Sequence, residues 1–295
     1  MDKLLKKLQI LQFIIIISLF IISNFNENNE TRLNKNTEYY NFLVKIIEYN
    51  KITKKLIKKN IKYIDFEDKY NLLLKNNEYF YIFYNNNVYT YFFKEVRSDQ
   101  HVIYFNGINN IKDIKIILNT IFEIANSNFN FENIEKLLNK KGLLYKIDKD
   151  QIEIIDNKYS VLEVFDYLYN EVYLSKDVKL KINGFSLGGP ISQLFTLFLL
   201  EHYSEINIDM YNIESWFGGN EEIYNKLINN VNIFNIYNNK SIFYFFNIFF
   251  QKYFKSNYLL DSDKQDIVNY NLNIFPFGII NYFVDNHLLS KILQK

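Results

Sequence analysis

Residues Gly184–Gly188 read Gly-Phe-Ser-Leu-Gly and place Ser186 between two glycines in a G-x-S-x-G pattern. A serine in this pattern can act as the nucleophile of an acyl transfer when it lies on a sharp turn between a strand and a helix. The glycines suit such a turn, because neighbouring backbone can pass close to a residue without a Cβ atom. An ordinary glycine-rich turn is the alternative interpretation, and the flanking residues decide between the two.

The segments on either side of Ser186 have the patterns of a strand and of a helix. Residues Val178–Ile182 alternate apolar and basic side chains, which predicts a short strand. Apolar residues at helical spacing predict a helix over Ile191–Tyr203. Pro190 fits the first turn of that helix, where its missing N–H has no partner to lose. Ser186 is therefore predicted to be a nucleophile, with the first free N–H groups of the helix facing the reaction centre.

The composition argues against several other kinds of site. The 295 residues carry a net charge of +1, so no basic field favours nucleic acid as a partner. The chain has no cysteine, which excludes thiolate catalysis and cysteine–zinc sites. Its three histidines argue against a multi-histidine metal centre; they are His101, His202 and His287. We expect no metal and no cofactor.

The first 23 residues combine a basic start with an apolar run over Leu8–Ile22. This pattern predicts a signal peptide, and an uncleaved membrane anchor or a buried N-terminal hydrophobic helix are the alternatives. We expect the protein to be secreted or membrane-associated. Residues 24–38 are polar and are predicted to be a linker, and residues 39–295 are predicted to form the folded domain.

Predicted strands and helices follow one another along that domain. One or two helices are expected over 39–65, strands over 79–84, 88–94 and 101–105, helices over 111–124 and 160–174, then a strand over 206–213, a helix over 221–228 and a strand over 231–237. Asn85–Asn87 is a predicted hairpin turn. Because strands alternate with helices in the second half, we expect an α/β fold with a mostly parallel central sheet and helices on both faces.

The order of these motifs resembles the class 3, or fungal-type, lipases of the α/β-hydrolase fold, from about Tyr39 to the C-terminus. Ile182–Gly189 is similar to the family's Thr-Gly-His-Ser-Leu-Gly-Gly, and Val102–Asp113 is similar to its strand ending in Phe-Arg-Gly-Thr, which precedes a lid helix. Weaker similarities lie at 140–143, 217–220 and 285–287. The resemblance implies a serine esterase that acts on lipid esters at a membrane or lipid surface and needs no cofactor.

The resemblance also implies roles for particular residues. Ser186 corresponds to the nucleophile, and His287 to the general base, because α/β-hydrolases place the histidine last in chain order. The backbone N–H groups of Leu187 and Ile108 would form the oxyanion hole. The helix over Ile111–Ile124 stands where the family carries its lid, or else it simply packs on the sheet.

The carboxylate that should orient the histidine is missing where the family keeps it, because residues Asn238–Ser241 read Asn-Asn-Lys-Ser. Glu214 ends the strand predicted to lie beside the strand that leads to Ser186, and it is the candidate acid. An ordinary surface glutamate is the alternative. Asp261 and Asp263 are weaker candidates, and a serine–histidine dyad without an acid stays open.

Two further departures concern the oxyanion hole, because the family's arginine and threonine are Asn106 and Ile108 here. Loss of one oxyanion donor typically lowers turnover about 100- to 1,000-fold. Two other functions therefore stay open: a catalytically degraded lipase-like protein that binds lipid or a partner, and a membrane-anchored structural protein.

Overall fold

The computed structural model describes residues 32–33, 38–59, 75–85, 89–107, 132–148, 152–171, 178–203, 206–215, 221–238 and 258–260. These residues form one sheet with helices on both faces. The strands are β1 (Arg32–Leu33), β2 (Asn77–Tyr84), β3 (Tyr89–Glu95), β4 (His101–Phe105), β5 (Gly142–Ile147), β6 (Ile152–Tyr159), β7 (Lys179–Phe185), β8 (Asn207–Ile213), β9 (Asn232–Asn238) and β10 (Tyr258–Leu260). The helices are α1 (Glu38–Lys59), α2 (Glu132–Asn139), α3 (Val161–Glu171), α4 (Gly188–His202) and α5 (Glu221–Ile228).

The described strands form a ten-stranded sheet in the order β1-β10-β9-β8-β7-β4-β3-β2-β5-β6. Strands β2 to β6 pair antiparallel and form what we call the antiparallel half. Strands β7, β8, β9, β10 and β1 pair parallel and form the parallel half, which joins the other half through the parallel pair β4–β7. The prediction of a mostly parallel sheet is therefore wrong for the molecule as a whole, because the sheet is mixed.

Helix α1 covers one face of the sheet. Its apolar stripe includes Phe42, Leu43 and Tyr49, all of them buried. The ring of Tyr49 packs edge-on against Phe80 of β2 and Phe93 of β3, with centroids 5.1 and 5.7 Å apart. Lys51 and Lys54 of the same helix are exposed, as expected for the outer face of a packed amphipathic helix.

The other face is covered by α2, α3, α4 and α5, whose apolar residues share one core with the sheet. Phe105 of β4 contacts Phe195 of α4, with ring centroids 5.1 Å apart, and Phe195 in turn meets Phe165 of α3 at 5.5 Å. Neighbouring residues of one strand point to opposite faces. Tyr104 accordingly belongs to the α1 core, whereas Phe105 belongs to the core under α4.

Helix α3 begins with a reciprocal pair of hydrogen bonds between its cap and its first turn. The backbone N–H of Glu163 donates to Ser160 Oγ at 3.3 Å, and the backbone N–H of Ser160 donates to the Glu163 carboxylate at 2.5 Å. This arrangement satisfies N–H groups that the helix itself cannot satisfy. Lys141 also bonds to that carboxylate, and these bonds lower the pKa of Glu163 to about 2.

The predicted elements that fall on described residues are present, with boundary differences of a few residues. Five elements were not predicted: β1, which lies inside the segment predicted to be a linker, α2, β5, β6 and β10. The hairpin predicted around Asn85–Asn87 joins β2 and β3, whose register pairs Tyr84 with Tyr89. The helix predicted over 111–124 lies outside the described residues.

Candidate active site

Ser186 follows the carboxyl end of β7, which lies between β4 and β8 near the middle of the sheet. Its backbone has a φ of 55°, in the left-handed region that costs an ordinary L-residue about 1–2 kcal/mol. The Ser186 N–H donates to the carbonyl of Ile213 at 3.0 Å, which ties the turn to β8. The side chain is 1% exposed. The strand–turn–helix setting predicted for this serine is therefore present, with a strained backbone at the serine.

The glycines of the motif are required by close packing around this turn. A Cβ atom on Gly184 would lie 2.4 Å from Ser192 Oγ and 2.5 Å from the Gly188 carbonyl oxygen. A Cβ on Gly188 would lie 2.2 Å from the carbonyl oxygen of Phe105. Because these contacts include backbone atoms, a larger residue would separate the start of α4 from the end of β4.

Helix α4 starts two residues after Ser186. Leu187 is its N-terminal flanking residue, is fully buried, and makes no side-chain capping bond. The N–H of Gly189 donates to the Ser186 carbonyl at 3.0 Å. The first N–H groups of a helix have no intrahelical acceptor, and the helix dipole is positive at this end. A negative charge that develops beside Ser186 would therefore be stabilised here.

The loop after β4, which begins with Asn106 and Gly107 and which we call the oxyanion loop, contacts the serine. A Cβ atom on Gly107 would lie 2.9 Å from the Cβ of Ser186 and 3.0 Å from the carbonyl oxygen of Phe185. Asn106 is buried, and its N–H donates to the carbonyl of Tyr89 at 2.9 Å. The residue predicted to supply the second oxyanion donor follows directly, but it lies outside the described residues.

Glu214 follows β8 immediately beside the serine turn. The β7–β8 register pairs Phe185 with Ile213, so Ser186 and Glu214 are the next residues on each strand. Glu214 is fully buried and also has a left-handed backbone, with a φ of 47°. Its N–H donates to the carbonyl of Ile236 at 2.8 Å. The alternative of an ordinary surface glutamate is therefore wrong, because the side chain is inaccessible to solvent.

A chain of buried amides connects the elements behind these two residues. Gln193 Nε2 on α4 donates to Asn212 Oδ1 on β8 at 3.2 Å, and Asn212 Nδ2 donates to Asn235 Oδ1 on β9 at 3.0 Å. No signal in the sequence distinguished these amides, because asparagine is abundant throughout the chain. Their hydrogen bonds fix α4 to β8, which Glu214 follows, and β8 to β9.

Two histidines lie away from the serine. His101 begins β4 opposite Leu180, at the amino ends of the two parallel strands, whereas Ser186 follows a carboxyl end. Its Nδ1 shares a 2.7 Å hydrogen bond with the Tyr79 hydroxyl, and burial, with repulsion from Lys94, lowers its pKa to about 4. His202 ends α4, about 20 Å along the helix axis from the first residue. Neither can serve as the base for Ser186 from these positions.

Several predicted site residues lie outside the described residues, so the structure does not place them: Ile108, His287, Asp261 and Asp263. The N-terminal apolar run lies outside them as well. Within the described part of the chain, none of the helices has the length and apolar character that crossing a bilayer requires. The same residues hold no group of three or more histidine, aspartate or glutamate side chains that could bind a metal ion.

The chain is similar to solved lipase structures at low sequence identity. No protein-family model matches the chain, and no curated protein is similar to it. The lipase from Rhizopus microsporus var. chinensis is 9% identical over 74% of this chain and 78% of its own, with a TM-score of 0.38. The Lip2 lipase from Yarrowia lipolytica is 14% identical over 73% and 80%, with a TM-score of 0.41. For two other lipase structures the chain spans only 61% and 59% of the lipase. These values are too low to assign a function.

Proposed function

We propose that this protein is a serine carboxylic-ester hydrolase of the α/β-hydrolase type, which acts on lipid esters through an acyl-enzyme on Ser186. The observation that carries the proposal is the left-handed backbone of Ser186 between β7 and α4. Strained non-glycine residues persist mainly where the surrounding structure and the function require them. A serine held in this way beside a helix N-terminus has the arrangement of a nucleophile elbow.

In the proposed reaction, Ser186 Oγ attacks the ester carbonyl carbon while His287 accepts the hydroxyl proton. The backbone N–H groups of Leu187 and Ile108 stabilise the negative charge on the carbonyl oxygen. Collapse of the tetrahedral intermediate breaks the bond to the alcohol oxygen, which takes the proton from His287. Water then attacks the acyl-enzyme with the same proton transfers, releases the carboxylic acid and restores the serine.

Glu214 is the proposed orienting acid for His287. Its complete burial and its position beside Ser186 support this role, since a buried carboxylate requires polar or charged partners. A carboxylate behind the histidine ring holds the correct tautomer and stabilises the imidazolium. Asp261 and Asp263, or a dyad without an acid, are the alternatives.

The proposed site of action is a membrane or lipid surface, reached through the N-terminal segment by secretion or anchoring. The basic start and the apolar run of residues 8–22 support this proposal. A fusion of residues 1–30 to a soluble reporter should leave the cytosol in fractionated cells. A reporter that stays wholly cytosolic would contradict it.

A fluorophosphonate probe, which reacts with activated serines, tests the catalytic proposal. We expect labelling of the wild type, no labelling of Ser186→Ala, and full labelling of the control Ser192→Ala, whose hydroxyl only bonds to the Gly189 carbonyl inside α4. A folded wild-type protein that is not labelled would favour a catalytically degraded lipase-like protein that binds lipid or a partner. The serine at position 241, where the family keeps its acid, is the observation that supports this second possibility.

A further inference from the structure

A chain of hydrogen bonds runs from the antiparallel half, through helix α1, to the oxyanion loop. The hydroxyl of Tyr91 on β3 donates to Asn50 Oδ1 on α1 at 2.6 Å. Asn50 Nδ2 in turn donates to Asn106 Oδ1, directly after β4, at 3.4 Å. Three separate segments of the chain are therefore linked, and the last of them is the loop that touches Ser186.

The tyrosine at the start of this chain is held firmly. Tyr91 is fully buried, its ring stacks on Tyr104 with centroids 5.9 Å apart and planes 9° apart, and it packs against Phe80 at 5.7 Å. Burial raises the pKa of Tyr91 well above its ordinary value, so the hydroxyl stays a donor at all physiological pH values. A buried hydroxyl without a partner is unfavourable, and the short bond to Asn50 meets that need.

The asparagine at the end of the chain determines where the loop lies. Asn106 is held by the bond from Asn50 and by the bond from its own N–H to Tyr89. Gly107 follows at once and has no space for a Cβ between itself and Ser186. A movement of Asn106 would therefore move Gly107 relative to Ser186.

We propose that Asn50 and Tyr91 are positioning residues for the oxyanion loop, which hold Asn106 so that Gly107 keeps its close approach to Ser186 and the oxyanion stabilisation of the proposed mechanism is preserved. This inference rests on the proposed function of Ser186. Neither residue is proposed to touch the substrate. Oxyanion stabilisation acts on the transition state more than on the bound ester, so disturbing it lowers kcat and leaves KM nearly unchanged.

The test compares Tyr91→Phe and Asn50→Leu with Tyr49→Phe. Tyr49 is the matched control: it is a buried residue of α1 itself, one position before Asn50, but its hydroxyl accepts a hydrogen bond from Asn77, at the start of β2, at 3.0 Å. The readouts are kcat and KM on a water-soluble ester, the fluorophosphonate labelling rate and the unfolding midpoint. Asn106→Ala breaks the Asn50–Asn106 bond from the loop side. It replaces Asn50→Leu in the comparison if that variant does not fold.

We expect Tyr91→Phe and Asn50→Leu to lower kcat and the labelling rate by about tenfold, below the 100- to 1,000-fold loss of a whole oxyanion donor. KM should stay within about twofold, and the double variant should lose little more than the worse single variant, because both act through one chain of bonds. Tyr49→Phe should lose stability without losing kcat.

Two results would overturn the inference. If the wild type is labelled but kcat in Tyr91→Phe and Asn50→Leu equals that of Tyr49→Phe, the hydrogen bonds serve stability alone. If the wild type itself is neither labelled nor active, the proposed function is wrong, and the positioning role is wrong with it. The wild-type result therefore separates the two failures.

Discussion

The two halves of the sheet differ in what they bury. In the antiparallel half, β2 and β3 bury mainly aromatic side chains, among them Phe80, Phe92 and Phe93. In the parallel half, Ser186 and Glu214 follow adjacent strands, and they are the only described non-glycine residues with positive φ. Strain and buried polar groups destabilise a fold, so they must be offset elsewhere. The antiparallel half therefore holds most of the aromatic core, whereas the strained residues of the proposed site follow parallel strands, and the Tyr91–Asn50–Asn106 link joins the two regions.

The sharpest test of this division is Glu214→Gln. An amide keeps the shape of the carboxylate and loses its charge, and loss of the orienting carboxylate in a serine triad lowers kcat about 10⁴-fold. We expect a loss of that order in ester hydrolysis with the fold retained, because the amide fills the same space as the carboxylate. Circular dichroism should show an unchanged fold. Full activity would exclude Glu214 as the acid and direct attention to Asp261 and Asp263.

The matching test in the antiparallel half is Phe93→Ala. Phe93 is fully buried and packs against Phe80, Phe42 and Tyr49 at centroid distances of 5.5, 6.4 and 5.7 Å. Truncation should lower the free energy of unfolding by about 3–5 kcal/mol, measured by urea titration. The folded fraction should keep kcat within about twofold. A fall in kcat as large as that in Glu214→Gln would show that the two halves are not separable.

The pH dependence of stability tests the boundary between the halves at His101. Its pKa of about 4 in the folded protein lies below the ordinary value of 6.5, so the unfolded state takes up the proton first as pH falls. The wild type should therefore lose stability relative to His101→Gln between pH 6.5 and pH 4, and show no such loss above pH 6.5. The check is the difference in unfolding midpoint between the two proteins across that range. If the unfolding midpoints of the two proteins changed by the same amount from pH 6.5 to pH 4, this prediction would be wrong.

The smallest expected effect concerns the cap of α3. Ser160→Ala should lower the free energy of unfolding by about 1 kcal/mol, whereas Ser160→Thr keeps the cap and should lose less. The pKa of Glu163 is lowered to about 2, so the stability contributed by this carboxylate is present above pH 4.5 and is lost as pH falls from 4.5 to 2. Neither variant should change kcat, and a change would place α3 in the site.

Sequence patterns predicted the elements that carry a clear period and missed those that do not. Strands β4 and β7 and helices α4 and α5 were predicted from hydrophobic spacing and turn residues. Strand β5 was not predicted, because its buried residues, Leu144 and Ile147, are three positions apart. Irregular pairing at Gly142 and Leu144 also interrupts the alternation of buried and exposed residues that is typical of a strand. With β5 and β6 unrecognised, the parallel segments outweighed the antiparallel ones, which explains the error about the sheet.

The candidate site was predictable only in part. The glycine pattern indicated Ser186, and adjacency of strand ends indicated Glu214. The left-handed backbone of Glu214 has no signal in the sequence, because glutamate does not favour that conformation. The link from Tyr91 through Asn50 to Asn106 joins three distant segments, and asparagines are too common here for one to stand out.

The pairing of β1 with β10 has a consequence for how the protein is made. Arg32 lies opposite Leu259, more than two hundred residues later in the chain. At ribosomal speeds of about 5–20 residues per second, the two are synthesised on the order of 10 to 50 s apart. During that interval β1 has no partner, and once β9 has been synthesised its outer edge stays open to any other strand until β10 follows. The parallel edge is therefore completed only after residue 260 has been synthesised, and a chain that stopped before β10 would expose an aggregation-prone edge.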